Sequence, residues 1–474
     1  MSTTHADAVP LSRRGFLQTA GMAATAFTIV PRRVLGGPGY TAPSDSLNVA
    51  IIGAGGQGIQ NLRELLEQPD VRIPAVCDVA ETVDYSRFYY GGLGGRLPAI
   101  EIAERRQAEK NSGGGAFRCA GYSDFRRMFE QEKTLDAVLV ATPDHIHAVA
   151  VMAAIRSGKH VYCEKPLAHS VWEIRRITEE AAAAGVATQM GNQGHSGEGI
   201  RLTVEWLRAG AIGPVREVHS WSTGDEAPSC RTGRPLDTPP VPQGMDWNLW
   251  IGPAPYRPYH PVYAPFTWRD WWDFGTDIIG DMGCHNMDPA FWALDLGAPK
   301  SVHARIVPAD HEMTPYASTV HYEFSGRGDR PPVRMTWYSM LMPPRPEELE
   351  SGRDLTGDGN GILFIGDKGK IMCGGWGGSP RLIPESRMKT FERPPKTLAR
   401  SNGHHRDWID ACKGGPPASS NFQVTGPMAE TVLLGAAAIR SKKYLEWDSA
   451  NMKVTNCSDA DRFIRHEYQN GWTL

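Results

Sequence analysis

The sequence predicts an α/β protein in two parts: a doubly wound parallel sheet over residues 46–192, then an α/β domain over 193–474 with a mostly antiparallel sheet. Three observations predict it. At 474 residues the chain is longer than one hydrophobic core usually serves. A strand-like run, Leu47-Asn48-Val49-Ala50-Ile51-Ile52, passes straight into a glycine turn, and strands then alternate with helices as far as Met190. Beyond residue 300, strand patterns at 301–308, 315–325, 332–340, 362–366 and 369–373 follow one another with no helix between them.

The first element is an address. Ser12-Arg13-Arg14-Gly15-Phe16-Leu17 precedes a small-residue apolar stretch over 19–30, which as a helix reaches only about 18 Å against a bilayer core of roughly 30 Å. A charged start before a short apolar run is a secretory pattern, and the paired arginines are similar to a twin-arginine signal, which exports folded proteins. Residues 1–37 are expected to be signal and linker, with the chain periplasmic or exported from a bacterium and no segment spanning the membrane.

Gly53-Ala54-Gly55-Gly56-Gln57-Gly58 fits G-x-G-x-x-G between a strand and an amphipathic helix carrying Leu62, Leu65 and Leu66. Gly53 permits the tight turn, Gly55 lets a pyrophosphate approach the backbone, and Gly58 brings helix and strand together. The helix N-terminus faces the phosphates with free N–H groups. The second strand, 71–77, ends at Asp78, twenty residues after Gly58. An acid there accepts hydrogen bonds from both ribose hydroxyls and repels a 2′-phosphate. Val79-Ala80-Glu81 offers no cation for such a phosphate, so NAD is the expected cofactor. Residues 85–115, broken by glycine clusters, read as a mobile insertion near the adenosine. Strands at 116–119, 136–141, 160–163 and 186–190, with helices at 124–131, 148–157 and 171–184, complete a Rossmann-type domain.

Ligands of such sheets sit beyond the carboxyl ends of the strands. Two segments fall there, Thr142-Pro143-Asp144-His145-Ile146-His147 and Glu164-Lys165-Pro166, the latter with a proline expected to be cis. Downstream, Asp281, His285 and Asp288 share one helix face. Oxidising a hydroxyl means removing its proton while hydride leaves the same carbon. His285 suits the base, since imidazole titrates near neutrality. Lys165 would stabilise developing charge on the oxygen and push the His pKa down, and Asp281 would orient the His or the substrate. Asp288 and Asp144 are further candidates. The same residues also suit a buried hydrogen-bonded network or an Asp/His metal site. Lys165 would repel a cation in that cleft, so no metal is expected. His145 and His147 either cap the following helix or line the cleft, and His404-His405 is expected to be a cap or rim feature. Gln193 and His195 either face the substrate or form a turn.

On these residues the chain resembles the Gfo/Idh/MocA family, which includes glucose–fructose oxidoreductase and inositol dehydrogenase. The matching pieces are the glycine turn, the Thr-Pro-x-x-x-His run at 142–147, Glu164-Lys165-Pro166 and Asp281-x-x-x-His285. The resemblance is clearest over 46–300; His404-His405-Arg406-Asp407-Trp408 and Leu445-Glu446-Trp447-Asp448 are similar to a secreted bacterial branch. It implies catalytic roles for Lys165, Asp281 and His285. Cofactor contacts are implied at Gly53, Gly55, Gly56, Gln57, Gly58, Asp78, Thr142, Pro143, His147, Glu164 and Lys165. It also implies a large open C-terminal sheet that pairs subunits into a homodimer or homotetramer.

Composition narrows the rest. A net charge of −3 with no basic stripe excludes nucleic acid as the main partner, and eight scattered cysteines without a Cys-x-x-Cys pair exclude a zinc ribbon or dense disulfide framework. Six of the fourteen tryptophans lie between 221 and 272, just before Asp281. Trp271 and Trp272 are expected to wall the sugar side of the cleft, with Gln193, His195 and Asp288 as further substrate contacts. Helices at 403–413 and 426–441 are expected to pack back near the first domain, and the charged stretch 460–471 to lie across a neighbour.

A protein exported folded into a compartment with no maintained pool of free NAD needs a cofactor that stays bound. The expected activity is therefore an NAD-dependent oxidation of a sugar, polyol or glycoside hydroxyl within a redox-neutral cycle. The alternatives are NAD-assisted glycoside hydrolysis, a dehydrogenase with exchangeable NAD, and a non-catalytic sugar-binding protein; Lys165, Asp281 and His285 argue against the last.

Overall fold

The structure, a computed structural model, describes residues 45–110, 117–224 and 233–474. The expected signal and linker lie outside the described residues. The first sheet takes, along the chain, β1 (Leu47–Ile52), β2 (Val71–Cys77), β5 (Ala120–Tyr122), β6 (Ala137–Val140), β7 (His160–Cys163) and β8 (Thr188–Met190), with a short hairpin of β3 (Val83–Asp84) and β4 (Leu93–Gly94) set apart. Its spatial order is β5-β2-β1-β6-β7-β8, and every neighbouring pair is parallel. Helices α1 (Gly56–Glu67), α2 (Arg96–Lys110), α3 (Phe125–Gln131), α4 (Asp144–Arg156) and α5 (Val171–Ala184) connect the strands.

Helices cover both faces of this sheet, and β1 shows why its run is nearly all apolar. Val49 and Ile51 pack into one cluster with Leu62, Leu65, Ala99 and Ala103. Ala50 and Ile52 pack into another with Met128, Val149 and Ile174.

Three expectations need correction. Residues 85–115 are not a featureless insertion: α2 fills most of the described part, and its buried Gln107 accepts the Ile73 N–H at 3.2 Å. The strand expected at 116–119 forms at 120–122 instead. The helix after β6 starts at Asp144 rather than 148, which places His145 and His147 in its first turn.

The chain continues through α6 (Glu198–Arg208), β9 (Val215–Ser222), α7 (Trp247–Ile251), α8 (Asp277–Asn286) and α9 (Asp288–Leu294). Then come β10 (Ser301–Val307), β11 (Ala317–Phe324), β12 (Val333–Ser339), β13 (Asn360–Gly366), β14 (Gly369–Gly374) and β15 (Arg381–Ile383). The last elements are α10 (Glu385–Thr390), α11 (His404–Cys412), α12 (Phe422–Ser441), β16 (Leu445–Asp448) and β17 (Lys453–Val454). The second sheet has nine strands in the order β15-β14-β13-β9-β12-β11-β10-β16-β17. Only β9 and β12 pair in parallel; the other pairs are antiparallel.

α12 is long and apolar enough to cross a membrane, yet 78% of its apolar window is buried in the protein. It packs on α5, α8 and β10, so it is the core helix that joins the two sheets. The C-terminal stretch also packs on its own chain. Tyr468 donates to Glu173 at 2.6 Å, and the Arg126 guanidinium sits 4.3 Å over the Trp472 ring.

Candidate active site

The carboxyl ends of β1, β2, β6 and β7 open onto a cleft of about 1090 Å³. Its opposite wall is α8, the loop 264–270 and the segments around Asp358 and Trp376.

The Rossmann side of this cleft fits a dinucleotide. A Cβ on Gly58 would stand 2.0 Å from Gly53 O, and one on Gly53, at φ +87°, would stand 2.7 Å from the Ala141 carbonyl. Only glycine lets α1 close on this turn. Asp78 directly follows β2, with its carboxylate oxygens 2.7 Å from Ala54 N and 2.8 Å from Ala80 N. Burial pushes its pKa up, against those two N–H donors. The Tyr85 hydroxyl lies against Gly55, on the turn whose N–H groups would face the phosphates. Gln57, Thr142, Pro143 and Glu164 line the same cleft, and Glu164 accepts from Asn61 Nδ2 at 2.8 Å.

His147, expected at the cofactor, does not line the cleft. Its ring nitrogens sit 2.9 Å from Thr142 O and 2.7 Å from Pro166 O, so it braces the loops after β6 and β7 against each other. The Lys165–Pro166 peptide is cis.

On the opposite side Lys165 Nζ donates to Asp281 Oδ1. α8 places Asp281 and His285 one turn apart, and both line the cleft. His285 is buried and its Nδ1 has no hydrogen-bond partner. Burial, then the Lys165 charge, pushes it down to about 3, so the imidazole is neutral. Against burial, Lys165 and Arg269 hold Asp281 well below the usual carboxylate range. Burial alone would lower Lys165, but Asp281 raises it and keeps the ammonium charged. Asp144 lines the same cleft; burial pushes its carboxyl up to about 7, although Thr276 Oγ1 donates to it at 2.6 Å.

The other substrate candidates divide. Gln193 lines the cleft, with Nε2 donating to Tyr162 and Glu164 at 3.2 Å each. His195 and Asp288 do not. They form a buried pair at 2.8 Å, completed by Asn192, and His195 stacks on Trp292 at 4.3 Å. Trp271 and Trp272, expected to wall the cleft, are both buried away from it. Trp271 packs in an apolar cluster with Trp247, Tyr263 and Phe274, and Trp272 lies under Arg440. Trp271 thus belongs to the loop's own apolar cluster and Trp272 to the main core.

Trp250, Trp268, Trp376 and Trp472 line the cleft instead. Arg269 lines it too. Its guanidinium lies 4.2 Å over Trp268 and its Nε 3.9 Å from Asp281. Nothing in its local spacing marks it, because the fold alone brings it to Asp281. His404 and His405 are buried outside the cleft, His405 stacked on Tyr162 at 5.0 Å. Among the described residues, no group of three or more His, Cys, Asp or Glu side chains is placed to hold a metal ion.

The family described as "Oxidoreductase family, NAD-binding Rossmann fold" matches residues 47–192, and its "C-terminal alpha/beta domain" matches residues 211–325. A 2,7-anhydro-N-acetylneuraminate hydratase of Escherichia coli is 32% identical over 94 residues, 20% of this chain and 25% of that protein. A glycosyl hydrolase family 109 protein of Shewanella pealeana is 26% identical over 220 residues, 43% of this chain and 44% of that protein. The chain therefore matches these relatives over a quarter to less than half of their length. Among solved structures, the WlbA dehydrogenase of Chromobacterium violaceum, in complex with NADH and UDP-GlcNAcA, is 16% identical with a TM-score of 0.56, covering 85% of this chain and 97% of that one.

Proposed function

The chain belongs to the Gfo/Idh/MocA family of NAD-binding oxidoreductases, and from that premise we propose that it oxidises a hydroxyl of a sugar, polyol or glycoside with a cofactor that is not released between turnovers. The observation that carries this is the Lys165–Asp281 contact with neutral His285 one turn further on, all facing the cleft that Asp78 and the glycine turn also face.

Gly53–Gly58, Asp78, Thr142, Pro143 and Glu164 would hold NAD, which when bound accepts a hydride from the carbinol carbon and can return it. Lys165, kept charged by Asp281, donates to the hydroxyl oxygen and stabilises negative charge as the proton leaves. His285, neutral at working pH, takes that proton on its imidazole. Lys165 acts on both partners at once, helping the oxygen lose its proton and weakening His285 as a base. Proton transfer is thus favourable only as the carbinol carbon gives up its hydride, which spares the site a free alkoxide. Asp281 holds Lys165 in register, and Arg269 adds a second cation behind it.

Two features support a redox-neutral cycle. The twin-arginine pattern points to export of a folded, cofactor-loaded protein to a compartment that does not recycle NAD. Hydration and glycoside hydrolysis, the reactions named for the two relatives, involve no net oxidation. The second reading is therefore transient oxidation, elimination, hydration and re-reduction, with net hydrolysis of a glycoside. We place the oligomeric contact, by family resemblance, on the open face of the nine-stranded sheet.

Purification without added cofactor, followed by denaturation and assay of released NAD, tests the reading. About one NAD per chain, with turnover of free sugars or aryl glycosides that needs no added NAD, is expected. Activity only with excess free NAD would overturn the closed cycle.

A further inference from the structure

Asn286 follows His285 at the end of α8 and is engaged by the loop at Trp376, by β9 and by the start of β13. Its Oδ1 accepts the Trp376 N–H at 3.0 Å, and its Nδ2 donates to Trp221 O at 2.9 Å and Asn360 Oδ1 at 3.2 Å. Trp376 takes a left-handed backbone, φ 59° and ψ 23°, that side chains rarely adopt. Gly194 lies directly beneath it, where a Cβ would stand 2.5 Å from Trp376 Cβ. The residue is thus strained and held in place, yet it remains 50% exposed. Trp221, Trp271, Trp337 and Trp408, by contrast, are among the fully buried side chains. The Trp376 ring lines the cleft with its centroid 5.4 Å from that of His285, and Asp358 and Asn360 line the wall beside it. An exposed indole face with a short acid and an amide at its edge matches a sugar ring, whose C–H face stacks while its hydroxyls bond to the polar groups.

Position decides which ring. Lys165 meets Asp281 on one turn of α8, and His285 lies on the next. Trp376 meets His285 from the C-terminal end of the helix, where Asn286 anchors it. The reacting hydroxyl must lie within reach of Lys165 and His285, so the indole is one step further along the cleft. We propose that Trp376, Asp358 and Asn360 form a second carbohydrate subsite, which holds the ring adjacent to the one that is oxidised. The substrate is then a disaccharide or larger glycoside rather than a free monosaccharide. This rests on the carbohydrate reading above.

The test pairs each monosaccharide with a disaccharide carrying it at the non-reducing end: glucose with cellobiose and maltose, galactose with lactose, and N-acetylglucosamine with its β-1,4 dimer. Turnover and saturation-transfer NMR are measured on the wild-type holoenzyme and on Trp376→Ala and Trp376→Phe. Wild type is expected to favour a disaccharide over its parent at least tenfold in kcat/KM, with saturation reaching both rings. Trp376→Ala brings that ratio close to one, and Trp376→Phe keeps most of it, which a mere folding defect would not do. Equal efficiency on both members of every pair in wild type, or an unchanged ratio in Trp376→Ala, overturns the subsite. If no saccharide is turned over, the carbohydrate oxidation fails, and NMR alone decides the subsite. Two saturated rings in wild type against one in Trp376→Ala support it, whereas one ring or none in wild type overturns it.

Discussion

Lys165 Nζ donates to Asp281 Oδ1 across the cleft, and this contact ties the loop after β7 to α8. The pair keeps side-chain exposures of 16% and 35%, and both residues line the cleft. If Lys165 stabilises charge on the substrate oxygen, Lys165→Ala lowers kcat by about 100- to 1000-fold. Asp281→Asn removes the counter-charge that holds the Lys165 pKa up against burial, so Lys165 loses its proton at a lower pH. The alkaline limb of kcat should then move to lower pH than in wild type. Superimposable limbs in kcat profiles taken from pH 6 to 11 would remove the assignment.

Asp144 makes a pH prediction of its own. Its folded pKa of about 7 lies above the ordinary 3.8, so between these values the folded state holds more protons than the unfolded one. Stability from this group is full below pH 4 and is lost as pH rises through 7. The loss is at most about 4 kcal/mol, at 1.36 kcal/mol per pKa unit. Asp144→Asn keeps an acceptor for Thr276 and abolishes the titration, so the fall in unfolding free energy between pH 5 and pH 8 should shrink. Denaturant melts at the two pH values measure it, and equal slopes in both proteins would contradict the burial argument.

Asp78 and Arg96 predict how the cofactor preference changes. The sequence near Asp78 offers no cation, but α2 folds back so that Arg96 donates to Asp78 O at 2.7 Å and to Glu81 at 3.2 Å. Asp78→Ser removes the repulsion toward a 2′-phosphate and leaves that guanidinium beside the vacated position. NADP affinity should rise about tenfold or more while NAD binding weakens, because one hydroxyl oxygen cannot replace the two carboxylate oxygens that hold the Ala54 and Ala80 N–H groups. Titration calorimetry with both nucleotides tests this; an unchanged NAD:NADP ratio would show that Asp78 does not discriminate.

Local pattern made most of the parallel sheet legible, since a buried strand must be apolar on both faces and a glycine turn has few substitutes. Gly53, Gly58 and Asp78 could be placed for that reason, and Lys165, Asp281 and His285 because they lie at strand ends or at helical spacing. The residues that escaped depend on long-range folding. Arg269 reaches Asp281 only through the loop between α7 and α8, and Trp376 reaches His285 only through β14 and Asn286. His195 and Asp288 misled because a buried polar pair and a substrate contact use the same residue types; only the Trp292 ring and the Asn192 amide packed around them decide between the two.

The tryptophan-rich loop yields a contrast that separates packing from binding. Trp271 is fully buried, with the Arg257 guanidinium 5.1 Å over its ring and Tyr263 edge-on at 4.8 Å. Trp271→Ala opens a cavity and should cost about 3–5 kcal/mol of stability, with little change in the KM of the folded fraction. Trp268 belongs to the same apolar cluster but also lines the cleft and carries the Arg269 guanidinium at 4.2 Å, so Trp268→Ala costs stability as well and, by freeing that cation from its platform, should raise KM several-fold. Urea unfolding and steady-state kinetics on the two variants read these quantities separately. If Trp271→Ala raised KM and Trp268→Ala only lowered the unfolding midpoint, the wall and the core of this loop would have to exchange places.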